Sequence, residues 1–483
     1  MTEDSKSIKG MSRRRALGSV LSGSVLSGGL VLGAAACSKA DVTLEASSEG
    51  SLGPSFKAPP LAKNLLVNRD RAHRVMQAAG VDAIICSRPD NIYYLTNYYP
   101  QLGIMGMENL VYAILPLDRR QAPILVVGQF EYYLAATQGA TTRDVDVRLY
   151  TIPADMEQFS RKTSLAAQLD AEGFPSFLPP QHNHHALSDM EMFKRKDTLS
   201  HSVPMGASGE TSFLKALRDM PHNFKRVAID NRALADQINR AEIDVSFANA
   251  EQMLRRIRLV KSPTEVELML YAANANAQAG LAAAKIARDG ASFQDIRREF
   301  NRQCVDRFLI PEFMVIDSVI PGNQPGEIAE GRAFAIDCVS HGQYYHGDYG
   351  RTVCVGEPTG EIKRATQAIA QVWDDLLPQL KPGLRYSEIG ALATNIFKNT
   401  RSDAALICNP HSVGLHHTDE PSVEGSAYFV KDDLELMEGM IISVDLPVVD
   451  VGLGGSAHLE DLVLIGKDGA TLLNDGGDRV III

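Results

Sequence analysis

The feature that most restricts the fold of this chain is an internal echo. Asp289-Gly290-Ala-Ser-Phe293-Gln-Asp295-Ile296 resembles Pro382-Gly383-Leu-Arg-Tyr386-Ser-Glu388-Ile389. In each place a long helical pattern leads to the glycine, a second helix begins at the aromatic residue, and strand-like runs follow. A repeated unit of helix, helix and strands implies a duplicated half, since one copy alone cannot bury its apolar face. Packed about a pseudo-twofold axis, two such halves give a curved antiparallel sheet with helices outside and a cleft at the middle. The clearest local signal lies in the helical region 249–290, where Ser262-Pro263-Thr-Glu265 is a capping box with proline at the first helical position. Gly290 is expected to end that region as a left-handed cap.

Upstream of this region, short apolar runs alternate with helical stretches. Residues 69–79 read as helix; 81–86, 91–96, 110–115, 124–127 and 226–230 read as strand-like runs, the last followed by a helix. Such alternation predicts an α/β layer around a mostly buried sheet. Residues 171–212 are polar and aperiodic, which predicts an insertion, and its His182, His184 and His185 lack nearby carboxylates and read as a solvated loop rather than a metal site.

The chemistry is concentrated in the last third of the chain. Four carboxylates stand out there: Asp337 in Phe334-Ala-Ile-Asp337 and Asp348 in His346-Gly-Asp348-Tyr-Gly-Arg351-Thr352, with Asp445 and Glu460 closing the apolar runs Ile441-Ile-Ser-Val-Asp445 and His458-Leu-Glu460-Asp461. His411 stands in Pro410-His411-Ser-Val-Gly414-Leu. A carboxylate at the end of a β-rich run is costly unless a cation or a proton neutralises it. Four of them with one imidazole therefore point to a metal site. Oxygen-rich donors with a single histidine suit a pair of divalent ions (Mn, Co, Zn or Fe) better than a structural zinc, which recruits thiolates. Two such ions can share and acidify a water and clamp a hydrolytic displacement. The odd interval from Asp337 to Asp348 would turn them to opposite faces of one straight strand, whereas a hairpin turning near His341-Gly342-Gln343 can bring them together.

In order and spacing these residues resemble the pita-bread metallopeptidases, the family of aminopeptidase P, prolidase, methionine aminopeptidase and creatinase. The resemblance spans about residues 65–480. It implies a creatinase/prolidase-type α/β N-terminal domain over 61–248, where Arg88-Pro-Asp90-Asn91 carries the likeness, and an α+β pita-bread catalytic domain with a pseudo-twofold repeat over 249–483. By resemblance Asp337 chelates one metal, Asp348 and Glu460 bridge both, His411 supplies the nitrogen ligand, Asp445 anchors an ion, and Asp461 is hydrogen-bonded behind Glu460. His417 is the residue expected to stabilise the tetrahedral intermediate or move a proton. The implied activity is hydrolysis of Xaa-Pro bonds in short peptides by a homodimer.

Several positions depart from the family pattern. Asp445 stands where the family has Glu, a reach shorter by about 1.5 Å, so one of the two ions is expected to be weakly held. Thr418 replaces the second active-site histidine, leaving His416 and His417 nearby; Pro321-Gly322-Asn323-Gln324 lacks a substrate-contacting histidine; His458 replaces an arginine. These changes keep two other readings open. One retains the fold with creatinase-like or lyase chemistry, although the lyase pattern's extra Asp is Val339 here; the other is a non-catalytic binding protein with a degenerate site.

At the N-terminus, Ser12-Arg13-Arg14-Arg15 leads a Gly/Ser-diluted apolar stretch ending Ala34-Ala35-Ala36-Cys37. This resembles a twin-arginine export signal over 1–37, with Cys37 placed like a lipoprotein acylation site, and 38–60 reads as a flexible tether. The expectation is a periplasmic protein, free or anchored to the membrane through lipid at Cys37. The net charge of −11 gives no basic face for a nucleic-acid partner. The six cysteines form no CxxC pattern, and those at 86, 304, 338, 354 and 408 read as buried free thiols.

Overall fold

The structure, a computed structural model, describes residues 57–483 except 108, 136–143, 153–162, 171–174, 179–186, 202–205, 221–223, 318–325, 401–404, 424–429 and 449–455. The leader, Cys37 and most of the expected tether lie outside the described residues, as do His182, His184, His185 and Gln324.

The first layer is a six-stranded mixed sheet in the order β4-β3-β2-β1-β5-β6. Its strands are β1 (Ala83–Cys86), β2 (Tyr112–Pro116), β3 (Ile124–Gly128), β4 (Asp146–Tyr150), β5 (Arg226–Ile229) and β6 (Ser246–Asn249). Every residue of β1 and β2 is buried, as expected for strands covered on both faces. One strand expectation is corrected. Residues 91–96 belong to the helix Pro89–Thr96, which has proline in its first turn and ends on left-handed Asn97 (φ 59°). A short apolar run does not tell helix from strand by periodicity, and the proline carried the signal. The stretch read as an irregular insertion likewise contains the helix Asp189–Ser200, started by a Ser188/Glu191 capping box.

The helix Pro263–Ala284 begins on the expected capping box, with Ser262 and Glu265 each bonded to the other's backbone. It stops at Ala284 rather than Gly290. Gly290 is left-handed (φ 73°) but opens the turn before the next helix, Phe293–Asp306. The long helix lies flat on the second sheet because small residues line the contact. A Cβ on Gly347 would meet the Ala272 carbonyl oxygen at 2.5 Å, and one on Gly280 would meet Cys338 Sγ at 3.0 Å.

That second sheet has eight strands, six of them on the path β10-β11-β12-β9-β8-β7. The repeat is plain in this order. Helices Pro263–Ala284 and Phe293–Asp306 precede β7 (Ile310–Ile316), β8 (Ala333–Gly342) and β9 (Tyr345–Cys354). Helices Gly360–Leu376 and Tyr386–Thr400 precede β10 (His411–Ser412), β11 (Ile441–Asp445) and β12 (Leu459–Ile465). The two halves meet antiparallel at β9 and β12, where Glu460 pairs with Gly350. No helix among the described residues is long and apolar enough to cross a membrane.

Candidate metal centre

The hairpin β8–β9 turns through Gln343 and Tyr344, both at positive φ (49° and 67°), as the right-handed twist of the flanking strands favours. Its register pairs Asp337 with Gly350 and Val339 with Asp348, so the two aspartates are diagonal neighbours on one face. The register continues across the sheet: Gly350 faces Glu460, and Glu460 faces Asp445. Asp337, Gly350, Glu460 and Asp445 thus form one row over four strands at the seam of the two halves. Gly350 is the gap in that row. A Cβ there would lie 2.9 Å from Glu460 Cβ and 2.6 Å from His458 Cε1.

The row encloses a compact cluster. His411 Nε2 lies 3.5 Å from Asp348 Oδ2 and 3.9 Å from Glu460 Oε1. His417 Nε2 lies 3.2 Å from Asp348 Oδ2, and His458 Nε2 lies 2.6 Å from Asp445 Oδ1. Three groups of donors, Asp337/Asp348/Glu460, Asp348/His411/His417 and Asp445/His458/Glu460, each lie within 4.8 Å of one another. Ser443 Oγ donates to Glu460 Oε1 at 2.6 Å. The buried Oδ1 atoms of Asp337 and Asp348 have no hydrogen-bond partner. Buried carboxylate oxygens without a donor are costly unless a cation faces them, so the donor set fits divalent ions.

Electrostatics agree with that fit. Burial, then repulsion by Asp348, pushes Asp337 up to about 7. Burial and the surrounding carboxylates push Glu460 well above the ordinary range. Burial opposes ionisation of Asp348 as well, but His417 and His411 outweigh it and hold it down to about 2. Burial lowers His411 to about 4, which keeps its imidazole neutral and able to ligate. His417 moves the other way: burial disfavours its charge, but Asp348 and the other aspartates overcome this and raise it. In the metal-free chain Asp337 and Glu460 hold protons more tightly than in the unfolded chain. The contribution of Asp337 to stability is present below the unfolded carboxyl pKa and is lost as pH rises through about 7, and that of Glu460 is likewise lost as pH rises. Thermal melts without metal should therefore show a midpoint falling from about pH 5 to about pH 8, while stabilisation by added metal grows over the same range as protons cease to compete. Equal metal stabilisation at both ends would contradict this.

The segment bearing the histidines is braced by a buried ion pair. Arg258 Nε donates to both Asp419 oxygens at 3.0 Å, its Nη1 donates to Asn91 Oδ1 at 3.0 Å, and neither charged side chain is exposed. Asp419 Oδ2 accepts the Leu415 N–H, and Glu420 Oε2 accepts that of Ser412. His411 and His417 are therefore fixed from both flanks. His416 turns away to Asp90 (3.0 Å), tying the segment to the first layer. Beside His417 opens a cavity of about 360 Å³ lined by Asp90, Tyr99, Glu312, His341, Tyr344 and His346 among others.

The structure thus brings together Asp337, Asp348, His411, Asp445, Glu460 and His417. Asp461, one residue beyond Glu460 on a strand, points to the opposite face. There it accepts from Arg351 Nη2 (2.8 Å) and Asn474 Nδ2 (2.6 Å), and Arg351 Nη1 donates to the Glu460 carbonyl. His346 and Glu312 escaped sequence reasoning as members of the site, and His458, noted there only as the replacement of an arginine, was given no role among the donors. His346 and His458 each precede a candidate ligand by two residues, and strand alternation alone places them on its face. Cys86, Cys304, Cys338 and Cys354 are buried free thiols, and Cys408 is a partly buried one.

Residues 267–467 match the model of metallopeptidase family M24, and residues 69–175 match that of the creatinase/prolidase N-terminal domain. The probable dipeptidase PepE of Mycobacterium tuberculosis is 24% identical over 243 residues, which is 48% of this chain and 63% of that protein. The Xaa-Pro dipeptidase of Pyrococcus horikoshii is 24% identical over 238 residues, 47% of this chain and 66% of that one. The chain therefore spans just under two thirds of the length of these relatives. Among solved structures, the prolidase of Pyrococcus horikoshii superimposes with a TM-score of 0.58 at 18% identity, covering 86% of this chain and 99% of that one. The X-Pro aminopeptidase of Thermotoga maritima gives 0.56 at 15% identity, with the same coverage.

Proposed function

Because this chain belongs to metallopeptidase family M24 and carries a creatinase/prolidase-type N-terminal domain, we propose that it hydrolyses Xaa-Pro bonds in short peptides with two divalent ions. The observation that carries the reading is the row of carboxylates at the seam of the sheet, with buried oxygens that no donor satisfies. Asp337, Asp348, His411, Asp445 and Glu460 are the residues that would hold the ions, manganese, zinc, cobalt or iron. Bound there, the ions would supply Lewis acidity toward the scissile carbonyl and a lowered pKa for water.

The remaining work falls to the chain's own side chains. His417, raised in pKa and one third exposed toward the cavity, donates a hydrogen bond to the oxygen on which charge develops. Asp445 accepts the proton released by the attacking water. Glu312, His341 and His346 line the cavity beside His417 and contact the substrate's flanking residue. The leader motif extends the proposal to export, with a lipid anchor at Cys37 and a homodimeric assembly as further parts of it.

The test is a panel of Xaa-Pro dipeptides, Xaa-Pro-led tripeptides and matched alanine peptides incubated with the metal-loaded full chain. Turnover confined to Xaa-Pro bonds is expected, and the preferred length separates dipeptidase from aminopeptidase. Absence of cleavage in every peptide would favour the binding-protein reading.

A further inference from the structure

We propose that His458 is a ligand of the second metal ion, sharing with Asp445 the place of one longer carboxylate, so that each ion carries an imidazole. The inference rests on the reading of the cluster as a two-metal centre. Asp445 and Glu460 are directly opposed on β11 and β12, and His458 lies two residues before Glu460, on the same face. Its Nε2 is 2.6 Å from Asp445 Oδ1 and 3.5 Å from Glu460 Oε2. The three residues offer donor atoms within 4.8 Å of one another, the spread that ligands at about 2.0–2.2 Å from one ion produce.

The ring is built into place. It is 5% exposed, and its backbone is clamped by Thr352, whose Oγ1 accepts the His458 N–H at 2.8 Å and donates to its carbonyl at 3.0 Å. Gly350 opposite keeps the space that the ring fills. A guanidinium at this position has no lone pair and can only repel a cation, whereas a neutral imidazole can bind one. The shorter Asp445 gives up about 1.5 Å of reach, and the imidazole nitrogen stands where that reach falls short. The expectation of a weakly held ion counted the carboxylate without the histidine beside it. With His411 near Asp348 at one side of the cluster and His458 near Asp445 at the other, both positions gain nitrogen, which moves preference from manganese toward zinc, cobalt or iron.

The competing role is a hydrogen-bond donor that merely holds Asp445. Full-length wild type, His458→Gln, His458→Arg and the double variant His458→Arg/Asp445→Glu would be loaded with zinc or cobalt, desalted and assayed for bound metal. X-ray absorption would count imidazoles on zinc. The ligand role predicts that both single variants fall from two ions to about one per chain, the retained ion reporting an intact fold. It also predicts that the double variant regains the second ion with less imidazole scattering than wild type. Two tightly held ions in His458→Arg, or imidazole scattering in the double variant equal to wild type, would overturn it. Failure of wild type to bind any zinc, cobalt or manganese would instead sink the two-metal reading itself, whereas two ions indifferent to residue 458 would sink this inference alone.

Discussion

Asp348→Asn is expected to abolish metal-dependent turnover and to strip the protein of bound ions while leaving it folded. Asp348 lies at the meeting of two donor groups, with Asp337 and Glu460 on one side and His411 and His417 on the other. The amide keeps the volume but lacks the charge that holds cations. Loss of partners outside a metal's own ligands costs roughly 10–100-fold in affinity or activity, so loss of a shared ligand should exceed that range. Stability separates this from misfolding. The Asp348 Oδ1 is buried without a donor, and burial opposes its charge. Neutralising it relieves repulsion with Asp337 but forfeits the pull of His417 and His411 that holds its carboxyl down to about 2, so the metal-free variant should still unfold in one cooperative transition, somewhat below metal-free wild type. Metal content, peptide turnover and the apo melting midpoint check the three parts, and retained turnover would contradict the assignment.

Arg258→Ala should destabilise the chain by about 3–5 kcal/mol, since it strands the buried charge of Asp419. Three contacts of 2.9–3.0 Å join the two side chains, and no solvent reaches either. Burial alone would raise Asp419, yet Arg258 and Lys261 hold it down to about 2. That depressed value contributes stability above the unfolded carboxyl pKa and loses it as pH falls toward about 2. The penalty of the variant should accordingly shrink in acid, where Asp419 takes a proton. Because Asp419 anchors the segment from His411 to His417, turnover should fall as well, with the effect of a displaced His417. Joint replacement by Arg258→Met and Asp419→Leu should recover much of the stability but not the turnover. Urea unfolding of the three proteins at neutral and acidic pH measures this, and a single variant as stable as wild type would refute it.

Much of this architecture is legible before folding is considered, for identifiable reasons. The two Gly-to-aromatic motifs mark helix starts through local chemistry, and both helices begin on the aromatic residue, at Phe293 and Tyr386. The Ser262 capping box works in the same way. Local signals were also overlooked: Pro89 announced a helix where apolar content suggested a strand, and Ser188-Asp-Met-Glu191 announced another in a polar stretch. Asp337, Asp445 and Glu460 stand out individually because each interrupts or closes an apolar run, and Asp348 through its fixed interval from Asp337. Their alignment does not, because register across β8, β9, β12 and β11 depends on pairings between distant strands. For that reason Asp445 and His458 looked like two separate departures, although their side chains touch. The brace from Arg258 to Asp419 is hidden for the same reason, its partners lying 161 positions apart.

The central claim is that the seam of the second sheet is a two-metal hydrolytic centre. The most direct test strips the full chain with a chelator and titrates it with cobalt or manganese while following hydrolysis of one Xaa-Pro dipeptide. The account predicts no turnover without metal and activity that rises until two ions are bound per chain. Full turnover in the stripped protein, or none at saturating metal, would contradict it.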